Sequence, residues 1–144
     1  MLGRLARYLR FVGHDTAYAR GLGHAEIAER AALERRTIVT RCRALAASVP
    51  GSVLLSSLEV DDQLRAVRSA APTAGFAVTF DRCTLCNGVL AAWTPPRTGP
   101  WPPDVPRGRA EAGLEVYACL DCGHRFWEGS HTRAIRAQLS GWLA

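Results

Sequence analysis

Two short cysteine motifs pose the first chemical question. Cys83-Thr84-Leu85-Cys86 and Cys119-Leu120-Asp121-Cys122 share the C-x2-C spacing. Two such knuckles are the ligand pattern of a tetrahedral zinc site built from four thiolates. Asn87-Gly88 and Gly123 follow them, and these residue types tolerate the left-handed backbone that such turns need. The same four thiols could instead form two disulfides, a redox pair or an iron centre of rubredoxin type. A cytosolic chain argues against disulfides, and a redox C-x-x-C usually comes singly beside a βαβ unit. Structural zinc is therefore the expectation. The proline-rich stretch from Trp93 to Gly108 reads as a loop inserted between the two halves of a ribbon.

The fifth cysteine is a different matter. Cys42 sits in I-V-T-R-C-R-A-L-A, between Arg41 and Arg43, in the turn expected after a buried strand. In open α/β folds ligands gather just beyond the carboxyl ends of strands. A free cysteine there is more often a small buried hydrophobe than a reactive thiol.

The elements around these sites follow from periodicity. Leu2, Leu5, Leu9 and Val12 form one helical stripe, closed by Gly13. Asp15 to Ala19 suits a short strand. His24 to Arg36 reads as a helix with Ile27, Ala28 and Ala31 inward and Glu26–Arg30 as an i,i+4 pair. Strands are expected over Thr37–Thr40 and Ser52–Ser56, with a helical turn over Ala44–Ser48 between them. A helix from Val60 to Ala71 turns Leu64 and Val67 inward, and Glu59, Asp61 and Asp62 lie at its positive end. Pro72 to Gly75 marks a boundary, which gives an α/β domain over 1–75 and a zinc ribbon with a C-terminal helix over 76–144. Ser130 is the expected cap of that helix, whose apolar face is Ile135, Leu139 and Trp142. The alternation of strands and helices in the first part argues for a parallel sheet flanked by helices.

The chain has 144 residues, 48% of them hydrophobic, and a net charge of +5. Residues 1–43 hold nine arginines against four carboxylates, and the remainder is balanced, so the whole excess lies in the first third. An acidic polymer such as RNA is the partner this distribution suits, although an arginine-decorated solvated surface would look the same. Candidate phosphate contacts are Arg4, Arg7 and Arg10 on the first helix and Arg41 and Arg43 beside the strand end. Trp93, Trp101, Phe126 and Trp127 are candidates for stacking on bases, with Trp127 expected in the core and the proline-loop tryptophans exposed. His131, at a helix start, could meet a phosphate. No apolar run reaches 18 residues, and the charged N-terminus makes a poor signal peptide, so no membrane partner is expected and the cytosol is the expected compartment.

Five blocks together resemble a known family. They are M-L-G-R-L-A-R-Y-L-R-F-V-G-H-D-T, R-T-I-V-T-R-C-R-A-L-A, Q-L-R-A-V, R-C-T-L-C-N-G-V-L and C-L-D-C-G-H-R-F-W-E-G-S-H. Their order and content are similar to the PIN-like ribonuclease domain named after the C-terminal part of the mut-seven exonuclease. The resemblance implies a PIN-like α/β domain joined to a zinc ribbon, RNA as the partner, and cleavage with Mg²⁺ or Mn²⁺ held by carboxylates at strand ends. It also implies that some relatives carry a ubiquitin-like domain ahead of it. The family pattern puts a strand tipped by aspartate just before M-L-G, and that strand has no counterpart from Met1 onward. His24 stands where an acid is expected, with Glu26 the nearest one, and Cys42 takes the place of the aspartate in T-R-D. Glu26 and Cys42 are thus the positions left to carry catalysis. A softer ion on Cys42, Glu26 and His24 is conceivable, and a decayed site is the commoner explanation. Three readings follow: a metal-dependent ribonuclease, an RNA-binding module that has lost cleavage, and a zinc-stabilised protein-interaction domain.

Overall fold

The computed structural model describes residues 2–144. Helix α1 (Gly3–Phe11) buries Leu5 and Leu9 and stops at Gly13, whose φ of +84° only glycine adopts without strain. A Cβ at Gly13 would also come within 2.6 Å of Thr79 Oγ1, because the chain entering the ribbon crosses there and Thr79 N–H donates to Phe11 C=O at 2.9 Å.

Residues 14–19 have no regular secondary structure and join no sheet. The strand expected at Asp15–Ala19 fails because side chains take its backbone groups. Thr16 N–H donates to Asn87 Oδ1 at 2.8 Å, and Arg10 Nε donates to Thr16 C=O at 2.9 Å.

Helix α2 (His24–Glu34) follows, then a short parallel βαβ unit of β1 (Val39–Thr40), α3 (Arg43–Ser48) and β2 (Val53–Leu54). The expected Glu26–Arg30 pair does not form. Glu26 Oε2 accepts the Gly23 N–H at 2.7 Å, closing the helix N-terminus, and Arg30 pairs with Glu34 at 2.6 Å instead. Only one edge of β1 is used. Ile38 and Thr40 accept from Val53 and Leu55, so the N–H and C=O of Val39 point to the opposite edge. A groove of about 610 Å³ lies there, between β1 and residues 14–19, floored by Leu5 and Leu9 of α1.

Helix α4 (Val60–Ala70) carries Leu64, which is fully buried. It shares one core with α1 and with α6 (Ser130–Leu143): Leu5, Leu9, Val12, Leu55, Val60, Leu64, Ile135 and Leu139. The final helix, read from sequence as part of the ribbon, therefore packs on the first half of the chain. Arg65 Nε donates to Trp142 C=O at 2.6 Å, and Arg68 donates to Leu143 C=O, so two arginines satisfy the carbonyl end of α6. At the other end Gly129, not Ser130, is the N-cap, and no side chain caps the helix.

The ribbon is a three-stranded antiparallel sheet of β3 (Leu90–Trp93), β4 (Val116–Cys119) and β5 (Arg125–Trp127). The connection from β3 to β4 holds the proline-rich loop and the short α5 (Arg107–Glu111), as expected of an insertion. Its tryptophans are not fully exposed. Trp93 and Trp101 meet edge to face at 6.1 Å, and Trp101 Nε1 donates to Val105 C=O at 2.8 Å.

Candidate metal centre and nucleic-acid interface

The two knuckles are built alike. Asn87 N–H donates to Cys83 C=O and Gly123 N–H to Cys119 C=O, both at 2.9 Å. The residue after the second cysteine is left-handed in each, Asn87 at φ +72° and Gly123 at +74°. Gly88 is required for a different reason. A Cβ there would lie 2.7 Å from Cys119 Sγ and 2.5 Å from Asp121 Oδ2, where the knuckles close on each other.

The four Sγ atoms all lie within 4.8 Å of one another, with Cys83–Cys122 at 3.7 Å and Cys86–Cys119 at 3.4 Å. A tetrahedron with Zn–S bonds of about 2.3 Å has edges of about 3.8 Å, so this thiol set fits zinc. All four cysteines are free thiols. Backbone N–H groups of Gly88 and Cys122 point at Cys86 Sγ (3.4 Å) and Cys119 Sγ (3.5 Å), the hydrogen bonds that stabilise thiolates. Desolvation pushes the Cys86 thiol up to about 12. Desolvation raises the Cys119 thiol too, but the N–H groups of Cys122 and Asp121 and the Cys86 and Cys122 side chains together bring it down to about 7. Among the described residues no other three His, Cys, Asp or Glu side chains converge in this way. Bound zinc would offset half the charge of four thiolates and tie the two knuckles together; Cys83, Cys86, Cys119 and Cys122 are the residues that would hold it.

Arg10 does not offer its charge to solvent. It is 7% exposed, and its Nη1 donates to Thr84 C=O at 3.1 Å and Leu85 C=O at 3.2 Å, inside the first knuckle. Burial lowers its pKa, while Cys83 and Cys86 favour the charge. The expectation that Arg10 binds phosphate fails because its donors are spent on carbonyls; it brackets α1 to the metal centre. Asp15 completes this joint. It accepts from Asn87 Nδ2 at 2.7 Å and Arg36 Nη1 at 2.9 Å, and Arg82 lies 3.6 Å away. The hydrogen bond from Arg36, and then that from Asn87, hold its carboxyl below the ordinary aspartate range. Sequence spacing missed Asn87 as a joint residue; its position in a left-handed turn was the only signal.

The remaining candidate arginines are placed differently. Arg4, Arg7, Arg41 and Arg43 are exposed, and among the described residues none pairs with a carboxylate. Arg4 lies over the Tyr8 ring at 5.9 Å. Arg41 and Arg43 flank Cys42, which is the N-cap of α3. Cys42 is half-buried against the cluster of Ala31, Ile38 and Leu45, and its N–H donates to Thr40 Oγ1 at 3.0 Å. Glu26 is committed to its cap, and His24, Glu26 and Cys42 do not gather into a second ligand set among the described residues.

Comparison with known families places this architecture. A family model described as Mut7-C RNAse domain matches residues 1–139, and the chain belongs to that family. Membership gives it an RNA-related, ribonuclease-like role, to which the four-cysteine cluster adds a site for zinc. No curated protein and no solved structure matches the chain. No helix among the described residues is long and apolar enough to cross a membrane.

Proposed function

We propose that this chain is an RNA-binding member of the Mut7-C family whose zinc ribbon is structural and whose own residues hydrolyse RNA poorly. The observation that carries this reading is the mismatch between cations and oxygens. Among the described residues Arg4, Arg7, Arg41 and Arg43 stand free of acidic partners. No cluster of carboxylates accompanies them among the described residues. Phosphate contacts need only the former, whereas metal-assisted phosphodiester hydrolysis needs carboxylates to gather Mg²⁺ or Mn²⁺ and orient water. Glu26 and Cys42 are the positions that would serve if hydrolysis occurs, but a thiol is a soft ligand and Mg²⁺ demands oxygen. A reducing compartment such as the cytosol suits four thiolates kept for zinc.

The test is salt-dependent binding of single-stranded RNA to the zinc-loaded chain. Log affinity should fall linearly with log salt, and Arg41→Ala with Arg43→Ala should flatten the slope by roughly 0.7 per lost phosphate contact. Absence of RNA binding at low salt would favour the protein-interaction reading.

A further inference from the structure

A second cavity lies between α1, the ribbon and the start of α6, with a volume of about 390 Å³, within the range of small-ligand sites. Its arginines are Arg7, Arg82, Arg109 and Arg125, the imidazoles of His124 and His131 stand beside them, and no aspartate or glutamate lines it. The groove beside β1, by contrast, carries Asp15 and Glu34 among its arginines. Two of the cleft's charges are uncompensated. Arg7 meets no carboxylate, and Arg109 spends one amino group on Glu128 C=O at 3.1 Å. Arg125 is paired with Asp104 at 3.0 Å, yet its Nε is buried without a partner, as is Thr79 Oγ1 in the same wall. Buried polar atoms left unsatisfied are uncommon and call for a ligand or water.

The walls add a second property. Phe11, Phe80, Phe126 and Trp127 line the same space. His131 meets the Phe11 ring at 6.4 Å and His124 meets Phe126 at 4.8 Å. The first turn of α6 opens here, with no cap side chain and no acid, so its N–H groups add to the positive field. The unpaired Arg7 and Arg109 select an anion, and the rings interleaved with them select a planar aromatic group. A nucleotide joins both.

We infer that this cleft holds one nucleotide of single-stranded RNA, the phosphate on Arg7 and Arg109 near the α6 N-terminus and the base against Trp127. The inference rests on the RNA-binding reading and locates it on the joint between helix and ribbon. No expectation from the sequence linked Arg82, Arg109 and Arg125, because they come from separate segments that only the ribbon fold brings to one wall.

The experiment measures binding of a fluorescein-labelled ten-nucleotide oligouridine to the zinc-loaded full chain. Arg109→Ala, an exposed change, should weaken binding about fivefold or more and flatten the salt slope. Trp127→Leu should lose a similar factor, while Trp127→Phe should stay within about twofold because a ring is kept. The Trp127 indole resonance should shift on titration with uridine 5′-monophosphate. Undiminished RNA affinity in Arg109→Ala together with an unmoved Trp127 resonance would overturn the cleft and leave RNA binding at Arg41 and Arg43 standing. Loss in Arg109→Ala without a Trp127 shift would also overturn the nucleotide assignment. No RNA binding by any form would overturn both.

Discussion

At the scale of single residues, three positions carry more than their residue type announces. Asp15 bonds Arg36 and Asn87 and so joins the segment after α2 to the first knuckle. Its folded pKa is depressed, so its contribution is fully present above the unfolded value of about 3.9 and is lost as pH falls through the lower folded value. Asp15→Asn should therefore lower the midpoint of thermal unfolding at neutral pH and leave the acid limb below about pH 4 shallower than in the parent chain. Equal acid limbs in the two would mean that the joint carries no linkage. Cys42 is the second such residue. It is an N-cap without a side-chain hydrogen bond. Aspartate is among the best N-caps, so Cys42→Asp should hold or raise Tm, by about 2–4 °C at most, while supplying an oxygen where the family expects one. A drop of several degrees by calorimetry would show that thiol burial against Leu45 outweighs the cap. Gly88 is the third. Gly88→Ala pushes a methyl into Cys119 Sγ and should lower zinc affinity about tenfold or more in a chelator competition.

The elements show how one half of the chain is fastened to the other. Zinc should be present at one ion per chain. Its binding free energy is on the order of 10 kcal/mol in small ribbons, which have too little core to fold alone. Chelation should therefore expose β3, β4 and β5 to hydrogen exchange while α6 keeps its protection, because Ile135 and Leu139 are buried with Leu5 and Leu64 rather than in the ribbon. Loss of α6 protection together with the ribbon would contradict that packing. The helices α1, α2 and α4 were legible from their apolar periods, and the knuckles from spacing, since both signals are local. The placement of α6 was not legible, because an apolar stripe does not say which core it enters. Nor was the failure of Asp15–Ala19 as a strand, which depends on Asn87 and Arg10 from elsewhere in the chain. The burial of Arg10 was missed for a related reason: it lies one position from the apolar stripe, and only the carbonyls of Thr84 and Leu85 decide where it points. Beside β1 the free edge of Val39 faces an open groove. An aspartate-tipped strand paired with that edge, combined with Cys42→Asp, should gain metal-dependent cleavage, while either change alone gains less. No gain from the combination would mean that other oxygens are missing as well.

For the whole molecule, the charge excess of the first 43 residues is partly internal. Arg10 and Arg36 hold the fold together, whereas Arg4, Arg7, Arg41 and Arg43 pair with no carboxylate among the described residues. The proposed function joins an RNA-facing surface to a zinc-fastened scaffold without a carboxylate cluster among the described residues. It is tested most directly by incubating the zinc-loaded chain with end-labelled single-stranded RNA and Mg²⁺ or Mn²⁺, following binding and cleavage in the same samples. The account predicts salt-sensitive binding with little or no cleavage. Vigorous Mg²⁺-dependent cleavage would contradict it, and survival of that cleavage in Glu26→Gln would put the reacting groups away from the start of α2.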